Sequence, residues 1–361
     1  MVRLNTQRAF LRLEKLDLLG FLDDFLRGDV DLVGNLYVLS DLKNCVRSDI
    51  KAIRAIGSLA ANSWFQSRRR TAQNVRSHYD IPQEVLSTYL DRAYQSYTCA
   101  IFDDPSSRPL AELVTIGTGQ DDSFDSLERA QSRKFREALE LLDISEAQSM
   151  LDIGCGYGGL MQEALKAGSH AQMVGWTHSR NQVVAARGRL DSSLGECEIR
   201  EGDYRQETRA FDRVASIGMV SHVGPRGLGS YCRNVRERIR KGGLYLHHDL
   251  MIEASWLPQN LQVGLVFNKK YVWPGFHWFT LSQHLRALEA AGFRVRRVDD
   301  LSEHYAKTTA AWHERLLLHQ AVTEPLMGQR SFRAWQIFLA GISGSLDNGG
   351  VRDYRLLCEA I

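Results

Sequence analysis

Proline is scarce, cysteine is scattered, and neither sign of charge dominates. Seven prolines in 361 residues argue against long disordered linkers. The six cysteines, Cys45, Cys99, Cys155, Cys197, Cys232 and Cys358, contain no C-x-x-C pair. That excludes a zinc ribbon and fits reduced thiols better than a disulfide frame, so no metal is expected and a cytoplasmic location is. Lys plus Arg number 45 against 43 Asp plus Glu, a net charge of +2. Nucleic-acid backbones demand a concentrated basic face, so no nucleic-acid partner is expected. No run reaches the ~18 uncharged apolar residues that crossing a bilayer requires, and Arg8, Arg12, Glu14 and Lys15 interrupt any secretory-type start. Peripheral membrane contact stays open, as does the choice between monomer and homodimer.

What is present is 44% hydrophobic residues on a chain long enough for one α/β domain plus an accessory piece. Apolar residues at three- and four-residue spacing predict a helix over 6–27 and another over 50–65. These define a small helical N-terminal region, residues 1–77, ending near the basic run Arg68-Arg69-Arg70, which reads as a solvated helix end or a lipid-headgroup contact. From 78 to 361 strand and helix signals alternate. Strands are predicted at 149–153, 172–177, 197–200, 213–217, 244–250, 294–298 and 352–358, with helices at 160–166, 181–190 and 281–291. This cadence predicts an α/β fold, a doubly wound, mostly parallel Rossmann-like sheet, with a helical insertion over 304–338 before the last strand. Residues 103–125, rich in Asp, Ser, Gly and Pro, form a long loop suited to mobility or to a lid.

The most informative segment is Asp152-Ile153-Gly154-Cys155-Gly156-Tyr157-Gly158-Gly159, which follows a predicted strand and opens a predicted helix. Glycines there let a ligand approach main-chain N–H groups. A dinucleotide loop would bring a pyrophosphate to the helix start and place an acid about 20 residues on. Here the second strand ends Gly175-Trp176-Thr177-His178-Ser179, without an acid at its tip, and the acid is Asp152, directly before the glycines. That arrangement matches the first motif of S-adenosylmethionine enzymes.

Further segments match one family in order. They include His78-Tyr79-Asp80, Tyr97-Thr98-Cys99-Ala100-Ile101-Phe102, Ser126-Leu127-Glu128-Arg129-Ala130-Gln131, Thr177-His178-Ser179-Arg180-Asn181-Gln182, Gly202-Asp203-Tyr204-Arg205, His222-Val223-Gly224-Pro225 and Tyr305-Ala306-Lys307-Thr308. Over nearly all of 78–361 the chain resembles the cyclopropane-fatty-acid synthases, including the mycolic-acid cyclopropane synthases, a branch of the class I S-adenosylmethionine-dependent methyltransferases. The resemblance implies that Tyr97 and Thr98 close over the cofactor and that Gly154, Gly156 and Gly158 carry its amino-acid and ribose part. It further implies that Thr177 and Gln182 lie beside the ribose, Asp203 and Tyr204 along the adenine, and Gly218 at the methionyl end. For catalysis it implies a bound bicarbonate acting as base, held through the backbone of Cys99 and Leu250, through His248 and Tyr305, and through a glutamate whose position is Ser221 here. His222 follows directly.

Two departures bear on the acceptor. Ser221 lacks the charge and reach of the family's glutamate, and Asp249, one residue from His248, is expected on the opposite face of its strand. The segment Tyr271-Val272-Trp273-Pro274-Gly275-Phe276-His277-Trp278-Phe279-Thr280 is more aromatic than the family's usual one, which predicts either a reshaped acceptor wall whose ring faces stabilise a cation or an aromatic cluster that packs a lid. The expected partner is an apolar or aromatic small molecule or a lipid. Three activities follow: methyl transfer to an alkene carbon of an acyl or isoprenoid chain, N-methylation of a small aromatic amine, or non-catalytic cofactor binding.

Overall fold

The fold follows from seven strand-forming segments, apolar in the interior, as in Met173 to Trp176, and alternating with charge at the margins, as in Phe293 to Asp300. In the computed structural model, which describes residues 1–15, 17–37, 82–106, 126–190, 196–253 and 263–361, they form one seven-stranded sheet. The strands are β3 (Ser149–Ile153), β4 (Gln172–Thr177), β5 (Cys197–Glu201), β6 (Phe211–Ile217), β7 (Ile239–Ile252), β8 (Phe293–Asp300) and β9 (Val351–Ala360). Their spatial order is β5-β4-β3-β6-β7-β9-β8. The first five run parallel and β9 runs antiparallel between β7 and β8. The chain reverses its direction of winding at β3, and the cleft above that point is where a doubly wound sheet binds its ligand.

Flanking helices bury their apolar stripes on both faces. Among them are α4 (Leu127–Leu141), α5 (Gly159–Lys166), α6 (Arg180–Arg189), α7 (Leu228–Glu237) and α9 (Leu281–Ala290), with Ser126, Ser179 and Thr280 supplying side-chain N-caps to α4, α6 and α9. The expected insertion before the last strand is three helices, α10 (Ser302–Leu318), α11 (Gln320–Met327) and α12 (Gln329–Asp347). Gly328, at φ 77°, ends α11 and starts α12. Together with α3 (Gln83–Tyr89) and α8 (Val263–Tyr271), these helices build an aromatic-rich core over one edge of the cleft.

The helix expected over 6–27 is instead two, α1 (Gln7–Glu14) and α2 (Leu18–Arg27), flanked by the paired strands β1 (Val2–Leu4) and β2 (Val30–Leu32). Asp17 causes the break, since its carboxylate accepts the Gly20 N–H and starts a new helix. This unit packs on the insertion: Arg333 of α12 donates to the carbonyls of Phe25 and Val30 and to Asp31. The helix expected over 50–65, the basic run 68–70, the motif at 78–80 and most of the 103–125 loop lie outside the described residues. No helix among the described residues is long and apolar enough to cross a membrane.

Candidate functional site

At the carboxyl ends of β3, β4 and β6 lies a cavity of about 420 Å³, within the roughly 300 to 1,000 Å³ range of small-molecule pockets. Its floor is the glycine loop, which turns sharply because Gly154 and Gly156 adopt φ of 82° and 53°. The N–H groups of Gly154 and Cys155 both donate to the Trp176 carbonyl, at 2.9 and 3.1 Å, anchoring the loop to β4. A side chain at Gly156 would meet nothing within 4 Å, so this backbone faces open space. Gly158 does not line the cavity. It caps α5, and a β-carbon there would press on Ala186 and Leu190 at 3.3 Å.

The other residues expected around a cofactor all line the cavity: Tyr97, Thr98, Asp152, Gly154, Gly156, Thr177, Gln182, Asp203, Tyr204 and Gly218. Burial pushes the Asp152 carboxyl up to about 7, against the pull of the buried Lys134 cation. Thr177 Oγ1 donates to Gln182 Oε1 at 2.6 Å, which orients the amide at the start of α6. Burial raises Asp203, but hydrogen bonds from the Arg205 side chain and backbone hold it below the usual carboxylate range.

Sequence reasoning missed what holds Tyr97 and Thr98 in place. The buried Asp91 accepts the N–H groups of Tyr94, Gln95 and Ser96, forcing the tight turn in which Gln95 takes φ 51°. From α4, Gln131 Nε2 donates to the Thr98 carbonyl at 2.9 Å, and Lys134 Nζ donates to Ser96 Oγ and, at 2.9 Å, to Thr98 Oγ1. Burial lowers the Lys134 ammonium to about 7, although Asp91, Cys99, Asp353 and Asp152 all act to keep it charged. The sequence signal was the three-residue spacing of Gln131 and Lys134, which puts both polar groups on one helix face.

The five residues expected near the reacting centre divide. His222 lines the cavity, 5.9 Å from the Trp273 ring, and burial lowers it to about 4, so it is a neutral imidazole. Cys99, Ser221, His248 and Tyr305 are buried and sit behind the wall. His248 Nε2 lies 2.7 Å from Asp353 Oδ2, on the neighbouring strand β9. The ligand atoms of Cys99, His248 and Asp353 fall within 4.8 Å of one another. Burial, and then the nearby Asp353 carboxyl, raise the Cys99 thiol well above its ordinary range. Ser221 is engaged through its backbone: its N–H and that of Val220 donate to Asp249 Oδ2 at 3.2 and 2.5 Å. Tyr305 packs edge-on to Trp312, at 6.0 Å. Asp353 was not foreseen.

The aromatic segment at 271–280 is split in its uses. Trp273 approaches both Tyr97, at 6.0 Å, and His222, whereas Phe276 and Trp278 pack on each other at 4.8 Å, and Tyr271 donates to Asp23 of α2 at 2.7 Å. The aromatics lining the cavity on this side come mostly from elsewhere: Tyr89, Tyr97 and Trp335.

The sheet order and a glycine-floored cleft at its switch point define a class I S-adenosylmethionine-dependent methyltransferase. The chain belongs to the mycolic acid cyclopropane synthetase family, whose description matches residues 66–353. It is 30% identical over 297 residues to a probable fatty acid methyltransferase of Pseudomonas putida, covering 80% of this chain and 70% of that protein. It is 28% identical over 297 residues to sphingolipid C9-methyltransferase A of Emericella nidulans, covering 80% of this chain, and it spans about half of that relative's length, 54%. In fold it is similar to the cyclopropane synthase MmaA2 of Mycobacterium tuberculosis, with a TM-score of 0.69 at 23% identity over 80% of this chain and 98% of that one.

Proposed function

We propose that this protein transfers the methyl group of S-adenosylmethionine to an alkene carbon in the hydrocarbon chain of a lipid. The carrying observation is which elements supply the cavity's lining. Asp152, Asp203 and Arg205 come from the carboxyl ends of β3 and β5, while α3, α12 and the turn before Thr98 supply Leu86, Tyr89, Leu90, Tyr97 and Trp335, with a neutral His222. An amine acceptor would call for a carboxylate on that side; an alkene calls for a dry apolar surface and ring faces that stabilise a passing cation. The names of the relatives, a fatty acid and a sphingolipid methyltransferase, favour the same class of acceptor.

In this reading Gly154, Gly156 and Gly218 present backbone to the methionyl end, Thr177 and Gln182 flank the ribose, Asp203 and Tyr204 flank the adenine, and Tyr97 with Thr98 closes the site. The cofactor supplies an electrophilic methyl group on a sulfonium; the chain aligns the acceptor and excludes water.

The test incubates purified protein with methyl-labelled S-adenosylmethionine and vesicles of oleoyl phospholipid, with an unsaturated ceramide, and separately with aromatic amines. Label in the hydrocarbon chain of an extracted lipid is the expected result. Transfer to nitrogen alone would overturn the proposal.

A further inference from the structure

Methylating an alkene leaves the acceptor a carbocation, and the reaction ends only when a proton is removed. The family resemblance assigns that step to a bicarbonate at Cys99, Ser221, His248, Leu250 and Tyr305, and the residues present do not fit such a guest. His248 Nε2 is already joined to the Asp353 carboxylate at 2.7 Å, and the Cys99 sulfur lies within 4.8 Å of both. A guest anion would find the His248 Nε2 already engaged and the acceptor oxygens of Asp353 standing where it would have to sit. At the position of the missing glutamate the Ser221 N–H is itself committed to a second buried carboxylate, Asp249. A metal shared by Cys99, His248 and Asp353 fits no better. Two ligands each roughly 2.0 to 2.2 Å from one zinc stand more than about 3 Å apart at tetrahedral angles, whereas 2.7 Å is a hydrogen-bond distance.

We propose that Asp353, paired with His248, is a built-in base that stands in for bicarbonate, so that this enzyme needs no added anion. The inference rests on the alkene methylation proposed above. Its location suits the role. Thr98 and Gly218 line the cavity; Cys99 follows Thr98 directly, and the Gly218 N–H donates to the His248 carbonyl at 2.8 Å, so the pair stands one residue behind the wall. The Asp353 backbone is held from both sides. Its own backbone N–H donates to Ser302 Oγ at 3.0 Å, and its carbonyl accepts the Leu301 N–H at 2.8 Å, which fixes β9 to the start of α10.

The electron balance is simple. The alkene's π pair forms the new carbon–carbon bond to the methyl group while the sulfur–carbon bond breaks, its pair staying on sulfur. A C–H bond on the new methyl group or on a carbon next to the cation then breaks. Its electron pair closes a cyclopropane or re-forms an alkene, and the proton passes to the Asp353–His248 pair and on to water.

The first arm of the test needs no acceptor. Protein loaded with S-adenosylhomocysteine is titrated with carbon-13 bicarbonate and followed by NMR and calorimetry. The natural protein is expected to bind none, and Asp353→Ala to gain a bicarbonate site. Saturable bicarbonate binding to the natural protein, abolished by His248→Ala, would overturn the inference, as would stoichiometric zinc lost in Asp353→Ala. The second arm uses whichever olefinic lipid accepts label. Turnover in carbonate-free buffer is expected to be insensitive to added bicarbonate. Asp353→Asn, which keeps the shape, is expected to lose at least about 100-fold in kcat with unchanged affinity for S-adenosylhomocysteine, and formate is expected to restore part of the turnover of Asp353→Ala. If no lipid accepts label, the proposed function fails and with it the reaction this base would serve, while the anion titration still decides separately whether the site takes bicarbonate.

Discussion

The Tyr97 ring lies flat on the indole of Trp312, with centroids 4.9 Å apart and planes 7° from parallel. Trp335 meets the same phenol ring edge-on at 5.8 Å. Trp312 is buried behind the wall, so its packing sets the plane that Tyr97 presents to the cavity, while Trp335 itself faces the space. If these faces steady a cation, removing one should slow the chemistry without loosening the nucleoside. Trp335→Leu is expected to lower kcat on an olefinic lipid about tenfold, the equivalent of 1 to 2 kcal/mol of cation–π stabilisation. Calorimetry with S-adenosylhomocysteine should give an affinity like that of the natural protein. An equal loss in both would instead mark Trp335 as part of the cofactor wall.

Gly218 makes a second, steric prediction. It sits at φ 71°, and a β-carbon there would come within 2.5 Å of Thr98 Cγ2. Thr98 has little room to rotate away, because its hydroxyl accepts from Lys134 and its carbonyl from Gln131. Gly218→Ala is therefore expected to weaken S-adenosylhomocysteine binding by about tenfold or more, roughly 1.4 kcal/mol, and to lower the melting temperature. Adding Thr98→Ser, which deletes the offending methyl group and keeps the hydroxyl, should recover part of the affinity. The backbone strain at position 218 would remain.

Both predictions concern residues legible in the sequence, and the contrast with Asp353 explains what was not. The strands around the glycine loop are buried on both faces, so segments such as Met150 to Ile153 read as apolar runs broken only by the motif acid Asp152, and were placed within a few residues. β9 is different. Its residues Val351, Asp353 and Arg355 share one face, and two charged groups in alternation read as a water-facing edge. The insertion covers that face. Asp353 is satisfied by His248, and Arg355 by Asp299 and Glu137, partners 56 to 218 residues away that no local pattern predicts. Lys134 escaped for the same reason: a lysine on an amphipathic helix is ordinarily solvated, and only the distant Asp91, Ser96 and Thr98 make it an interior group.

A buried cation also links the insertion to the core. Arg315 of α10 is fully buried and forks onto Glu128 at the start of α4, both bonds 3.0 Å, with a third to the Leu90 carbonyl at 3.4 Å. Such a fork couples the insertion to the helix that carries Gln131 and Lys134. Arg315→Met leaves Glu128 and the Leu90 carbonyl without their donor. The expected cost is about 2 to 3 kcal/mol in urea unfolding, below the largest values for buried pairs because Glu128 keeps partial contact with water. A change under half a kcal/mol would mean that the helices are coupled by packing alone.

Asp249 gives a prediction whose sign depends on pH. Its carboxyl is pushed up to about 7 by burial, with the nearby Asp353 charge adding to the shift and the Val220 and Ser221 N–H groups opposing it. Because the folded-state value lies above the unfolded one, near 3.9, the folded protein binds more protons between about pH 4 and 7. The contribution of this group to stability is therefore fully present below pH 4 and declines as pH rises through about 7. Asn at this position keeps an oxygen acceptor for the two N–H groups and cannot ionise. Measured against the natural protein, Asp249→Asn should be the less stable or equal at pH 5 and should gain on it as the pH is raised to 8, by on the order of 2 kcal/mol. A stability difference that stays flat from pH 5 to 8 would mean that the carboxylate is ionised throughout, its backbone N–H donors outweighing the loss of water.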